Sequence, residues 1–205
     1  RATEGLAAAG ARVLIASRKG DACAAVAEEI NALGLPGTVE GFAGDVASQD
    51  GVDALAADVA ERTDKLHILM NNAGRTWGAP LGEFPWSGWD KVNDLNVTGM
   101  FQLTQALLPM LTASATDADP ARVVNTGSVL GDVPKGDGAY SYSVSKAAVH
   151  HMTRILANEL AERRITVNAL APGPFKSKMT AFALTDADQA DRTADRVPLG
   201  RLGEA

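Results

Sequence analysis

The feature that most constrains the fold is a regular alternation of short apolar runs with longer amphipathic segments. Residues 1–10 form a helical stretch stopped by Gly10, and Arg12-Val-Leu-Ile-Ala-Ser17 is an apolar run of strand length. Residues 21–33 then carry Cys23, Val26, Ala27, Ile30 and Leu33 at helical spacing, with Gly34 as the stop. The pattern repeats as a strand at 38–43, a helix over 49–63, a strand at 65–70, a long helix over 87–113, a strand at 122–126, a helix over 140–162 and a strand at 165–170. Strands alternating with helices of ten or more residues predict a parallel sheet covered on both faces. With right-handed crossovers, the result is a doubly wound, Rossmann-type three-layer α/β sandwich.

A chain of 205 residues supplies one such domain, 1–205, and too little for two. Its formal net charge of −6 argues against nucleic acid as a partner, because phosphate-backbone binding needs a clustered basic face. A single phosphate pocket needs only one or two local cations and stays open. No apolar run is long enough to span a bilayer, so a soluble chain without a membrane partner is expected. Cys23 is the single cysteine, which rules out an intrachain disulfide or thiolate metal cluster and fits a reducing, cytoplasmic setting.

The strongest chemical signal is Tyr142-Ser-Val-Ser-Lys146. Residues four apart on a helix share a face, so a phenol and an ammonium lie side by side. A phenol with a pKa of about 10 is a poor proton shuttle at neutral pH. A cation about 4 Å away, at an effective dielectric of about 20, is worth up to roughly 4 kcal/mol and brings that phenol toward neutrality. Tyr140 is a rival, but six residues from Lys146 place it well round the helix. Alone, the motif also fits a plain surface helix. Other distinctive residues gather at the same place: Ser128 follows one strand, Asn71-Asn72-Ala73-Gly74 ends another, and Pro172-Gly173 ends a third. Carboxyl strand ends are where open α/β sheets bind ligands. Asn96 lies within the long helix that faces that edge.

The ordered set Asp45-Val46, Asn71-Asn72-Ala73-Gly74, Asn96, Ser128, Tyr142/Lys146 and Pro172-Gly173 resembles the compact short-chain dehydrogenase/reductase family along the whole chain. The resemblance implies that Tyr142 exchanges a proton with the substrate oxygen and that Ser128 orients that oxygen. It implies that Lys146 lowers the Tyr142 pKa and holds the nicotinamide ribose, while Asn96 anchors a water in a proton relay. The implied activity is hydride transfer between a nicotinamide cofactor and a ketone or secondary alcohol, with a faint likeness to 3-oxoacyl reductases. Pairing of the long helices across subunits, giving a homotetramer or a dimer, is implied in the same way. A non-catalytic nucleotide-binding regulator on this fold is the alternative, and an inert fragment of the enzyme is another.

The end of the second strand of a doubly wound sheet meets the adenine ribose, where an acid favours NAD(H). Here the stretch is Ala16-Ser17-Arg18-Lys19, with no acid before Asp21, so NADP(H) is expected over NAD(H) unless Arg18 and Lys19 merely face solvent. The resemblance places Asp45 at the adenine with Val46 packed beside it, and Asn72, Ala73 and Gly74 where the backbone approaches the cofactor. It also places Phe175 and Ser177 near the carboxamide and phosphates.

No Gly-x-x-x-Gly-x-Gly run precedes residue 12. The resemblance places Arg1 just after that glycine-rich turn and Pro198-Leu-Gly-Arg-Leu-Gly203 before the family's last helix and strand, so the first strand with its Gly-rich loop and the last strand are expected to lie outside this chain, the first leaving a gap of roughly 10 Å, two ladder spacings, in the sheet. Direct pairing of the strands at 12–17 and 66–70 would contradict this expectation. His67, His150 and His151 have no metal spacing and read as structural or solvent-facing residues. Trp77, Phe84, Trp86 and Trp89 either wall an apolar substrate pocket or pack over the helix entrance. Met179, Phe182 and Leu184 read as an amphipathic lid, and Asp186, Asp188 and Asp191 as a solvated face.

Overall fold

The computed structural model describes residues 1–134, 138–175, 187–195 and 197–204. The elements run α1 (Ala2–Ala8), β1 (Arg12–Ser17), α2 (Gly20–Asn31), β2 (Thr38–Ala43), α3 (Gln49–Arg62) and β3 (Ile68–Asn71). There follow α4 (Trp86–Asn93), α5 (Met100–Ala106), α6 (Leu108–Ser114), β4 (Ala121–Thr126), α7 (Tyr140–Leu160), β5 (Ile165–Leu170) and α8 (Ala187–Ala194).

Local chemistry accounts for the boundaries. The Ser48 hydroxyl caps α3 by accepting the Gly51 N–H at 3.2 Å. The long helix expected over 87–113 is instead four pieces. A π-helical turn at Asp94–Gly99 joins α4 to α5, and a break at Leu107 precedes α6, where Pro109 lacks the N–H that a continuous helix would use. The strand expected at 65–70 starts later, at Ile68. Thr63 and Lys65 are tied in a turn by a bond from the Lys65 N–H to the Thr63 hydroxyl.

All strand pairs are parallel. β1 pairs with β2 from Arg12↔Thr38 to Ser17↔Ala43, while β4 lies between β3 and β5. β1 does not pair with β3, so the described residues form a two-stranded and a three-stranded sheet rather than one. The two are joined through a shared core. Leu14 of β1 and Phe42 of β2 pack against the cluster that holds Leu55, Val59, Leu69, Leu111, Val123, Leu156 and Val167. Full burial of each such side chain contributes about 1.5–3 kcal/mol, so this cluster dominates cohesion. On the other face of β1, Val13 and Ile15 pack with Ala7, Ala27, Ile30 and Val39. The strict alternation of Leu14 with its neighbours is the period-2 signature of a strand covered on both sides.

Ile68, Met70, Val124 and Leu170 share the face opposite the core, and with Gly5 and Leu6 of α1 they line an apolar cavity of about 400 Å³. Among the described residues α1 is the one helix lining it, and Ile68 and Leu170 remain 38% and 49% exposed. No helix among the described residues is long and apolar enough to cross a membrane.

Candidate active site

The carboxyl ends of β3 and β4 are fixed by a buried polar ladder. The Asn71 amide donates to the Thr104 hydroxyl at 3.0 Å and to Asn125 Oδ1 at 2.9 Å, and Asn125 donates to the Thr153 hydroxyl at 3.0 Å. Thr104 and Thr153 close the ladder by donating to the carbonyls of Met100 and Val149 one turn back in their helices. All four side chains are buried, so each lost bond would strand a polar group at about 1–3 kcal/mol. The ladder clamps α5, β3, β4 and α7 in register.

Upon this frame stand the residues that the motifs single out. Lys146 is 4% exposed and its ammonium donates to the Thr126 carbonyl at 2.6 Å, at the end of β4. The same ammonium lies 5.5 Å from the centroid of the Tyr142 ring, which is half-buried one turn earlier on α7. Burial lowers the Lys146 pKa to about 8. Asn96 is buried inside the π-helical turn. Its Oδ1 accepts the Arg75 N–H at 2.9 Å, and its Nδ2 donates to the Arg75 carbonyl at 3.0 Å and to the Ser145 hydroxyl at 2.9 Å. Ser145 in turn donates to the Tyr142 carbonyl at 2.7 Å. The Asn96 side chain thus pins the turn after β3 to the helix that carries Tyr142.

Gly74 sits where these groups converge. A Cβ there would lie 3.4 Å from Asn96 Oδ1 and 3.5 Å from Lys146 Nζ, so any side chain would fill the space over both. Ser128 is 7% exposed, and its Oγ accepts the Leu130 N–H at 3.2 Å, leaving the hydroxyl proton available. The 3₁₀ turn after Ser128 packs directly on α7, since a Cβ at Gly131 would lie 2.8 Å from the Lys146 carbonyl carbon. Pro172 holds the same loop by accepting the Val129 N–H at 3.2 Å. Asn96, Gly74, Ser128, Tyr142, Lys146 and Pro172 are therefore brought together.

The remaining candidates lie around this centre. Asn72 and Ala73 are exposed at the end of β3, with Asn72 accepting from the Thr126 hydroxyl at 3.4 Å. Gly173 has open space where a Cβ would stand. Asp45 closes a turn by accepting the Ala47 N–H at 3.0 Å, and Val46 packs against the main core. Ser17, Arg18 and Lys19 are exposed at the start of the twelve-residue α2, and neither cation forms an ion pair among the described residues. Phe175 is tied to Gly203 by an isolated bridge. Ser177, Met179, Phe182, Leu184 and Asp186 lie outside the described residues, as does the Asp188 side chain; Asp191 is exposed. Tyr140, the rival phenol, packs edge-on against Phe84 at 5.5 Å, and Phe84 meets Trp89 at 5.8 Å. Trp77 and Phe84 flank Gly88 at the entrance of α4, while Trp86 is 81% exposed.

Two parts of this arrangement escape a reading by motif. The Asn71–Asn125 ladder is hinted at only by an asparagine inside each of two apolar strands. His150 is not surface-facing but buried, with Nε2 3.4 Å from the Ser128 amide and Nδ1 3.1 Å from Asp132. Among the described residues no cluster of three or more His, Cys, Asp or Glu could hold a metal.

The geometry has close counterparts. Residues 1–188 match the family described as short chain dehydrogenase. A Pseudomonas aeruginosa protein named rhamnolipids biosynthesis 3-oxoacyl-[acyl-carrier-protein] reductase is 44% identical over 200 residues, 98% of this chain and 77% of that protein. The 3-oxoacyl-[acyl-carrier-protein] reductase FabG of Thermotoga maritima is 36% identical over 172 residues, 83% of this chain and 67% of its own. Among solved structures, the Pseudomonas aeruginosa RhlG/NADP active-site complex superimposes with a TM-score of 0.93 at 44% identity, over 98% of this chain and 77% of that one. A gluconate 5-dehydrogenase from Burkholderia cenocepacia, in complex with NADP and tartrate, gives 0.87 at 29% identity over 98% and 76%. With so long a match and so high an identity, the chain belongs to the short-chain dehydrogenase family and is built as an oxidoreductase.

Proposed function

We propose that this protein is an NADP(H)-dependent reductase that interconverts a ketone and a secondary alcohol, with 3-oxoacyl thioesters as its substrate class. The observation that carries the reading is the pairing of Tyr142 with Lys146, whose ammonium is held at the Thr126 carbonyl beside Gly74, Asn96 and Ser128. The substrate class is supported by the names of the Pseudomonas and Thermotoga relatives.

In the direction of reduction, the Tyr142 hydroxyl gives its proton to the substrate oxygen. Ser128 donates a hydrogen bond to the same oxygen and fixes its position. The phenolate left on Tyr142 is favoured by the Lys146 cation, which also has donor protons to spare for a ribose hydroxyl. Asn96 keeps the turn after β3 and α7 at a fixed separation. The residues present fit the cofactor: Gly74 leaves open space beside Lys146, and Arg18 and Lys19 offer uncommitted positive charge where α2 begins. NADPH, when bound, supplies the hydride to the carbonyl carbon.

Two structural features extend the reading. Among the described residues β1 and β3 each lack a ladder partner on one side while their sheets share a core, which supports a further parallel strand between them, with its Gly-rich phosphate turn. Val144 and Ile155, three helical turns apart on α7 and 53% and 44% exposed, support helix pairing in a homo-oligomer.

The test is a fluorescence titration of the full-length protein with NADPH and with NADH, followed by NADPH consumption with a 3-oxoacyl thioester. Tighter binding of NADPH and turnover of the thioester are expected. Equal affinity for both cofactors would remove the role of Arg18 and Lys19, and turnover of simple ketones alone would remove the thioester.

A further inference from the structure

Among the described residues one buried ionisable group has no task in the mechanism. His150 lies on α7 one turn after Lys146 and is 7% exposed. Its ring bridges two groups of the loop that follows β4. Nε2 lies 3.4 Å from the Ser128 backbone nitrogen, and Nδ1 lies 3.1 Å from Asp132 Oδ1. A backbone N–H can only donate, so Nε2 is the acceptor. A neutral imidazole with a bare Nε2 carries its proton on Nδ1, where the Asp132 carboxylate accepts it. Asp132 thereby selects the tautomer that the Ser128 amide requires.

The loop is shaped around this ring. A Cβ at Gly127 would lie 2.1 Å from His150 Nε2, and one at Gly131 would lie 2.9 Å from Cε1. Glycines on both sides of Ser128 leave room for the imidazole. Three consecutive amides anchor the backbone here: Gly127 donates to the Leu170 carbonyl at 2.7 Å, Ser128 to His150, and Val129 to the Pro172 carbonyl. The outer two tie the loop to the end of β5. Of the three, only the middle one ties it to α7, the helix that carries Tyr142 and Lys146.

We infer that His150 and Asp132 are a positioning pair that locks Ser128 in register with Tyr142, so that both hydroxyls reach one substrate oxygen. The inference rests on the role proposed for Ser128 above. It gives the pair a pH dependence of definite sign. When His150 is protonated, both ring nitrogens donate, and Nε2–H faces the Ser128 N–H with no acceptor between them. The charged groups around the ring are Asp132, Lys146 one turn earlier on α7, and Arg154 one turn later in the cleft shared by Asp132 and His150, to which β5 adds the uncharged Asn168. Turnover should therefore fall as pH drops through the His150 titration, while cofactor affinity does not follow it.

The test uses the full-length protein loaded with NADPH. Nitrogen-15 NMR of its histidines should show His150 as the Nδ1–H tautomer, and the Ser128 amide shift should move with the same midpoint as the His150 ring. In kinetics, His150→Leu should lose about tenfold in kcat, the scale of one unsatisfied buried donor, with NADPH Kd within about twofold. His150→Gln, whose side-chain oxygen can still accept from Ser128, should recover most of that loss and erase the acid limb of the pH profile. Asp132→Ala should lower kcat severalfold and Asp132→Asn should restore it. An Nε2–H tautomer, an acid limb that survives in His150→Gln, or a wild-type kcat in His150→Leu would overturn the inference. If the wild-type protein reduces no carbonyl compound, the proposed function fails, and the tautomer and the Ser128 shift decide the pairing without it. If the Leu variant does not fold, the wild-type spectrum and the Gln profile still decide.

Discussion

At the α7 end of the cleft Asn96, Ser128 and Lys146 are 2%, 7% and 4% exposed, and each is hydrogen-bonded to main chain. At the β1 end Ser17, Arg18 and Lys19 are exposed, and the bonds of Ser17 run to its near neighbours Lys19 and Cys23. The two ends answer different demands. Proton transfer needs donor and acceptor held within a fraction of an ångström, in a site where charges are poorly hydrated. Recognition of a phosphate needs only positive charge within reach, which exposed side chains deliver without a rigid frame. The rigid end is therefore the place to look for effects on turnover, and the open end for effects on cofactor choice.

Lys146 is where the comparison breaks most sharply, because it serves both demands. Lys146→Met should lower kcat by about 10²–10³-fold and weaken NADPH by about tenfold, measured by steady-state kinetics and titration. Burial holds the Lys146 pKa at about 8, below the ordinary 10.5. Between those values the unfolded chain binds more protons than the folded one, so stability rises with pH across that window as the buried charge is relieved. Urea unfolding at pH values below and above the window should show this rise in the wild type and lose it in the Met variant.

Arg18→Ala sharpens the contrast from the open end. NADPH Kd should rise about tenfold while NADH Kd moves less than about twofold, since the lost partner is the phosphate. Added salt should weaken the wild-type preference for NADPH and leave the variant nearly flat. Next comes the frame itself. Asn125→Leu leaves Asn71 and Thr153 short of partners in a buried site and should cost about 1–3 kcal/mol, read as a fall in Tm. Trp86→Ser should be the smallest change, within about 0.5 kcal/mol, because the indole is 81% exposed.

The same division decides how much could be read from the chain. β1, β2 and β5 fall on the runs 12–17, 38–43 and 165–170, because period-2 and period-3.6 patterning is a local signal. Tyr142, Lys146, Asn96 and Gly74 also converge as spacing and strand-end position suggest. The break of the long helix into α4, a π turn, α5 and α6 was hidden, since Pro109 lies in a run that is otherwise strongly helical. His150 and Asp132 are eighteen residues apart, and only the folded loop shows that their partner is Ser128.

The most direct test of the account is a paired measurement on Tyr142→Phe: NADPH affinity by fluorescence and turnover of a 3-oxoacyl thioester. The account predicts a Kd within about twofold of wild type and a kcat lowered by about 10²–10⁴-fold, the range of a lost general acid. A variant that keeps its turnover would contradict the assignment of the proton donor.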